Sequence, residues 1–139
     1  MEALTTVRLT NHFSELERLT QVLVQFGKTH YIPRNILDAM NLALEELITN
    51  IISYAFSGHA EHTIILRLSM KGRQLIAEVE DDGKPFNPLD VPDPDIDSSL
   101  EDRPIGGWGI LLTKKMVDHI EYSQHDGKNL VRLKKSVTQ

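Results

Sequence analysis

The chain has 139 residues, 40% of them hydrophobic and 25% charged, which fits one globular domain with its own core. A net charge of −5 argues against a broad nucleic-acid surface, and the lack of cysteine excludes disulfides, thiolate catalysis and thiolate-bound metals. MEALTTVRL has no basic region followed by an apolar run, and no stretch approaches the ~18 consecutive apolar residues of a membrane span, so the cytoplasm is the expected location.

Thr5 to Thr10 reads as a short strand with Val7 and Leu9 on one face. Asn11 suits a helix N-cap, and a helix follows from His12 to a stop at Gly27, with Phe13, Leu16, Leu19, Leu23 and Phe26 at helical spacing. A second helix runs from Asn35 to Phe56, entered near Pro33 and ended by Ser57-Gly58. Its apolar positions are Ile36, Met40, Ala43, Leu44, Leu47, Ile48, Ile51 and Ala55. Glu46 and Asn50 lie only about 40° apart at the edge of that arc, either as a helix-surface pair or facing a pocket. Glu45 lies about 100° further round and reads as solvent-facing.

Thr63–Met70 and Gln74–Glu80 alternate as strands joined by a hairpin at Lys71-Gly72-Arg73. From Asn87 to Pro104 the chain is rich in proline and holds six carboxylates between Asp90 and Asp102, so it reads as a long loop rather than a connector. A glycine-rich turn from Ile105 to Gly109 opens a helix from Ile110 to Val117. Strands at Ile120–His125 and Leu130–Lys135 flank Asp126-Gly127, a hairpin turn signal. This order predicts a single α+β domain over 1–139: a two-layer α/β sandwich, with a mixed, mainly antiparallel sheet and helices on one face.

Two motifs carry chemistry. At Asp81-Asp82-Gly83 a strand-end carboxylate can accept a hydrogen bond from an exocyclic amine such as that of adenine, and glycine admits a close neighbour; a plain Asp-Gly turn is the other reading. Gly106-Gly107-Trp108-Gly109 precedes a helix, where exposed N–H groups favour phosphate; a flexible loop end is the other reading. No Gly-Lys-Ser/Thr follows, which excludes a Walker A loop, and the glycine spacing is not that of a Rossmann fingerprint. Asp93-x-Asp95-x-Asp97 fails as an EF-hand because Ser98 and Pro104 stand where glycine and glutamate are needed. The six histidines form no metal-binding pair at helical spacing and read as surface or core-edge residues.

The ordered set LALEELITNIISYAF, EVEDDGKPFNP, EDRPIGGWGILLTKKMVDHIEY and DGKNLVRLKK resembles the histidine-kinase-like (GHKL, Bergerat-fold) ATPases, and within them the anti-sigma-factor serine/threonine kinases. The resemblance covers nearly the whole chain. It implies that Asn50 ligates Mg²⁺ bridging the ATP phosphates, and that Glu46, one turn earlier, is the general base. It implies Asp81 at the adenine amine, with Gly83 and Phe86 beside the nucleotide. Gly107 and Gly109 would give N–H groups to the phosphates, with Trp108 and Ile110 in the same box. Residues 87–105 would be the ATP lid, with Arg103 near its end as a γ-phosphate sensor or an exposed ion pair. Tyr54 replaces the basic residue or histidine of many relatives, and Pro85 a frequent glycine.

The implied activity is phosphorylation of a STAS-type anti-anti-sigma protein, with binding of a sigma factor and a homodimeric state. The alternative is a nucleotide-gated binding module that turns over little or no ATP. A histidine-kinase core is disfavoured: no helical segment with a phospho-acceptor histidine precedes it, and His12 lies in the wrong kind of segment.

Overall fold

A computed structural model describes residues 3–56, 58, 60–90 and 107–138, with the side chains of residues 3 and 107–110 outside the description. Five strands form one sheet: β1 (Ala3–Thr10), β2 (Thr63–Lys71), β3 (Gln74–Asp81), β4 (His119–His125) and β5 (Lys128–Ser136). Among the described residues three α-helices accompany it: α1 (Leu16–His30), α2 (Arg34–Tyr54) and α3 (Gly107–Met116). The spatial order is β1-β2-β3-β5-β4, and all four pairings are antiparallel. The last strand therefore inserts between β3 and β4, and Asp81 at the end of β3 faces Asn129 on β5 directly.

Alternation decides the two faces. Ile64, Leu66 and Leu68, then Leu75, Ala77 and Val79, then Val131 and Leu133 are buried in a core shared with the helices. The opposite face carries cross-strand charge pairs, with Arg132 bonded to Glu78 at 2.6 Å and Arg67 to Glu80 at 3.1 Å. The β4–β5 hairpin turns through Asp126 and Gly127, both at positive φ (53° and 77°), the geometry that matches the twist of the strands.

The apolar stripe expected of α2 is buried throughout, from Ile36 to Ala55. Four expectations need correction. Asn11 does not cap a helix: its Oδ1 accepts the His62 N–H at 2.9 Å, tying the end of β1 to the entry of β2. A 3-10 turn at Phe13–Glu15 leads into α1 instead, and the Glu15 carboxylate accepts the Thr10 N–H at 2.9 Å. Gly27 does not stop α1, which continues one turn to His30 and leaves through left-handed Tyr31 (φ 57°). Gly27 is where α1 meets α2, since a Cβ there would lie 2.5 Å from Leu37 Cδ2. Glu45 does not face solvent alone: it is half-buried and its Oε1 accepts from Thr20 Oγ1 and Asn41 Nδ2, both at 3.2 Å. Periodicity along α2 could not reveal that α1 packs on that side.

Among the described residues no helix is long and apolar enough to cross a membrane. The helix expected from Ile110 begins at Gly107, so two glycines form its first turn rather than a turn before it.

Candidate functional site

The site is built on the last turns of α2. Asn50 falls in the buried phase of the helix with Leu47 and Ile51 and is 1% exposed. Neither its Oδ1 nor its Nδ2 has a hydrogen-bond partner among the described residues. Such an orphan costs about 1–3 kcal/mol, so a buried amide left bare marks a place that a bound water, ion or ligand would complete. Glu46, one turn earlier, is half-buried and has no hydrogen-bond or ion-pair partner among the described residues. Thr113 of α3 donates from Oγ1 to the Ala43 carbonyl at 3.4 Å, which holds α3 beside α2 less than a turn before Glu46.

The segment after β3 docks on the end of α2. Lys84 N–H donates to the Ala55 carbonyl at 2.8 Å. A Cβ on Gly83 would lie 2.4 Å from that carbonyl oxygen and 2.8 Å from Ala55 Cβ. The close neighbour that Gly83 admits here is the end of α2, a role its sequence context did not disclose. Beyond it, the Phe86 ring lies 5.6 Å from the Tyr54 ring, tilted by 41°. Asp81, Gly83 and Phe86 are thereby brought to the helix end one turn past Asn50.

Asp81 is 3% exposed. Its Oδ1 accepts the Gly83 N–H at 2.9 Å and Asn129 Nδ2 at 3.0 Å, and its Oδ2 carries no bond among the described residues. Burial pushes its carboxyl above the ordinary value of 3.8, opposed by the bonds from Asn129 and Gly83, while Asp82 and Glu80 push it further up. When ionised, a carboxylate with one oxygen left unbonded is an acceptor for a ligand N–H.

Asn129 was not foreseen. It is 2% exposed and donates from Nδ2 to Asp81, to the Lys84 carbonyl at 3.0 Å and to the Gly83 carbonyl at 3.4 Å. Its Oδ1 accepts from the Tyr122 hydroxyl at 2.6 Å and from the Phe86 N–H at 3.5 Å. A signal was available, because Asn129 shares the buried phase of Val131 and Leu133 in β5.

The first residues of the expected lid form a turn, with Pro88 buried and the Leu89 N–H donating to Asn87 Oδ1 at 2.9 Å. Residues 91–106, including Arg103, lie outside the described residues, as do the side chains of Trp108 and Ile110. Gly107 and Gly109 stand in the first turn of α3, where helix N–H groups have no intrahelical acceptor. Among the described residues no three His, Asp or Glu side chains cluster as a metal site.

Three comparisons bear on this arrangement. Residues 9–135 match the model of the histidine kinase-like ATPase domain. The serine/threonine-protein kinase BtrW of Bordetella bronchiseptica is 29% identical over 94 residues, 68% of this chain and 66% of that protein. The serine-protein kinase RsbW of Listeria monocytogenes is 24% identical over 102 residues, 70% of this chain and 65% of that protein. The chain thus spans just under two thirds of the length of each. In fold, it superposes on a Mycobacterium tuberculosis structure of RsbU and RsbW domains with a TM-score of 0.70 at 12% identity, covering 96% of this chain and 32% of that one. It also matches the histidine kinase domain of a blue-light activated kinase from Erythrobacter litoralis, with a TM-score of 0.58 at 20% identity over 91% of this chain and 61% of that one. The ordered helix, strand end and glycine-opened helix, the antiparallel sheet they stand on and the match over nearly the whole chain agree: this protein belongs to the histidine kinase-like ATPase domain family.

Proposed function

We propose that the protein is an ATP-dependent serine/threonine kinase of the anti-sigma type, one domain over 1–139 with its lid at 87–105, acting in the cytoplasm as a homodimer. Its substrate would be a STAS-type anti-anti-sigma protein, and a sigma factor its second partner. The observation that carries this reading is that, among the described residues, the buried amide of Asn50 has no hydrogen-bond partner and stands one turn from a Glu46 carboxylate that is also unpaired. That two relatives are named protein kinases supports it.

Asp81 would accept the adenine amine, with Gly83, Phe86 and Tyr54 beside the base. Asn50 would supply an amide oxygen to Mg²⁺, a hard ion suited to oxygen ligands, which neutralises phosphate charge when bound. The N–H groups at Gly107 and Gly109 would face the phosphates at the helix N-terminus, with Trp108 and Ile110 in the same turn. Glu46 would take the proton of the attacking serine hydroxyl as its oxygen bonds to the γ-phosphorus and the bond to the leaving ADP breaks.

The test is transfer from γ-labelled ATP to a purified STAS-type protein. Label is expected on a serine or threonine of that protein, and Glu46→Gln should slow transfer by about 10²–10⁴-fold while retaining ATP binding. Undiminished transfer by Glu46→Gln would remove the general-base role. ATP binding without transfer by the unmodified protein would select the binding-module alternative.

A further inference from the structure

Building on the reading of Asp81 as the adenine contact, we infer that Asn129, held by Tyr122, is a positioning residue that decides which oxygen of Asp81 meets the ligand, and so sets a preference for 6-amino over 6-oxo purines.

The orientation of the Asn129 amide follows from its neighbours. The carbonyls of Gly83 and Lys84 can only accept, so they face Nδ2; the Phe86 N–H can only donate, so it faces Oδ1. The Tyr122 hydroxyl, 2.6 Å from Oδ1, completes the carbonyl side. Burial raises the Tyr122 phenol above its ordinary range and the Asp81 charge raises it further, so this hydroxyl remains a proton donor at neutral pH. With the amide locked, Nδ2 is a donor 3.0 Å from Asp81 Oδ1, and the Gly83 N–H holds the same oxygen at 2.9 Å. Oδ1 is consumed by the protein, and Oδ2 is the acceptor that remains.

An acceptor oxygen attracts an exocyclic amine and repels an exocyclic carbonyl. A reversed Asn129 amide would set its own carbonyl against Asp81 and turn the carboxylate away. The topology makes the arrangement possible, since Asp81 and Asn129 are direct partners across β3 and β5, and β4 brings Tyr122 alongside. The same amide holds the backbone from Gly83 to Phe86, so one side chain fixes both the acceptor and the strap beside it.

The experiment is calorimetric titration of the full chain with adenosine and inosine triphosphates, in unmodified protein, Tyr122→Phe and Asn129→Leu. The unmodified protein should prefer the adenosine form. Asn129→Leu should lower that preference about tenfold, chiefly by weakening the adenosine form. Tyr122→Phe, which loses one oxygen, should lower it about threefold. Equal loss of both affinities in Asn129→Leu, with the preference kept, would mark a merely structural residue and overturn the inference. Should Asn129→Leu not fold, an unchanged preference in Tyr122→Phe overturns it instead. Unmodified protein that binds both purines alike removes this inference and leaves the ATP reading intact; protein that binds neither removes both.

Discussion

Asn50 and Asn129 are two amides at almost the same burial, 1% and 2% exposed, with opposite surroundings. Asn129 has acceptors on its nitrogen and donors on its oxygen, whereas Asn50 has neither among the described residues. Burying an amide is costly unless hydrogen bonds replace water. The satisfied amide therefore belongs to the framework, and it fixes the β3 end, the β5 start and the strap over α2 as one unit. The bare amide is tolerated at a cost to the ligand-free protein, as expected where a bound group completes the set. Two asparagines of almost equal burial are thus distinguished by their partners among the described residues, and under the proposed function the bare one is the ligand contact.

The largest expected effect breaks the bare side of this contrast. Asn50→Leu keeps the branching at Cγ and removes the orphan, so the unliganded protein should gain about 1–3 kcal/mol in urea unfolding. Phosphoryl transfer should fall about a hundredfold or more in the same variant. A loss of both stability and activity would show that Asn50 belongs to the framework.

Gly83→Ala perturbs the satisfied side. The new methyl meets a backbone carbonyl, which cannot rotate away as a side chain can, so the cost should be about 1–3 kcal/mol. A thermal melt within error of the unmodified protein would mean that the strap lifts off Ala55 freely, and that Asn129 does not hold it.

Asp81→Asn joins the two sides, and its effect on affinity should be smaller, about tenfold for adenosine triphosphate. Its stability effect depends on pH. The folded carboxyl titrates above 3.8, so the folded state holds its proton more tightly than the unfolded state. Ionised Asp81 therefore costs stability, and that cost is absent below the ordinary aspartate range. It grows as pH rises from there through the raised value, then stays constant. The advantage of Asp81→Asn over the unmodified protein should rise across that interval in urea titrations. An advantage that falls with rising pH would mean that the bonds from Asn129 and Gly83 outweigh burial.

Much of the molecule was legible from periodicity. TIILRLSM and QLIAEVE were legible as the strands β2 and β3, and the spacing in NILDAMNLALEELITNIISYAF gave the α2 stripe. Where local signals misled, a distant segment had taken the residue. Asn11 has the chemistry of a cap, but His62 claims it; Gly27 has the chemistry of a stop, but Leu37 needs its missing Cβ. Glu45 faces away from the site along its own helix, yet Thr20 of α1 meets it. At the site, Asn50 could be singled out because a polar residue interrupts an apolar arc. Asn129 does the same in β5 and was passed over, since its partners lie more than forty residues away in the chain, apart from Tyr122.

The sequence by itself determined the elements, their buried faces and the ordered motifs that mark the family, because these depend on residues a few positions apart. Tertiary structure alone decided that β5 inserts beside β3, that Gly83 seats on Ala55, and that one asparagine has its partners while another has none among the described residues. Periodicity says which side of an element turns inward, but the neighbour waiting there is chosen by packing between segments far apart in the chain.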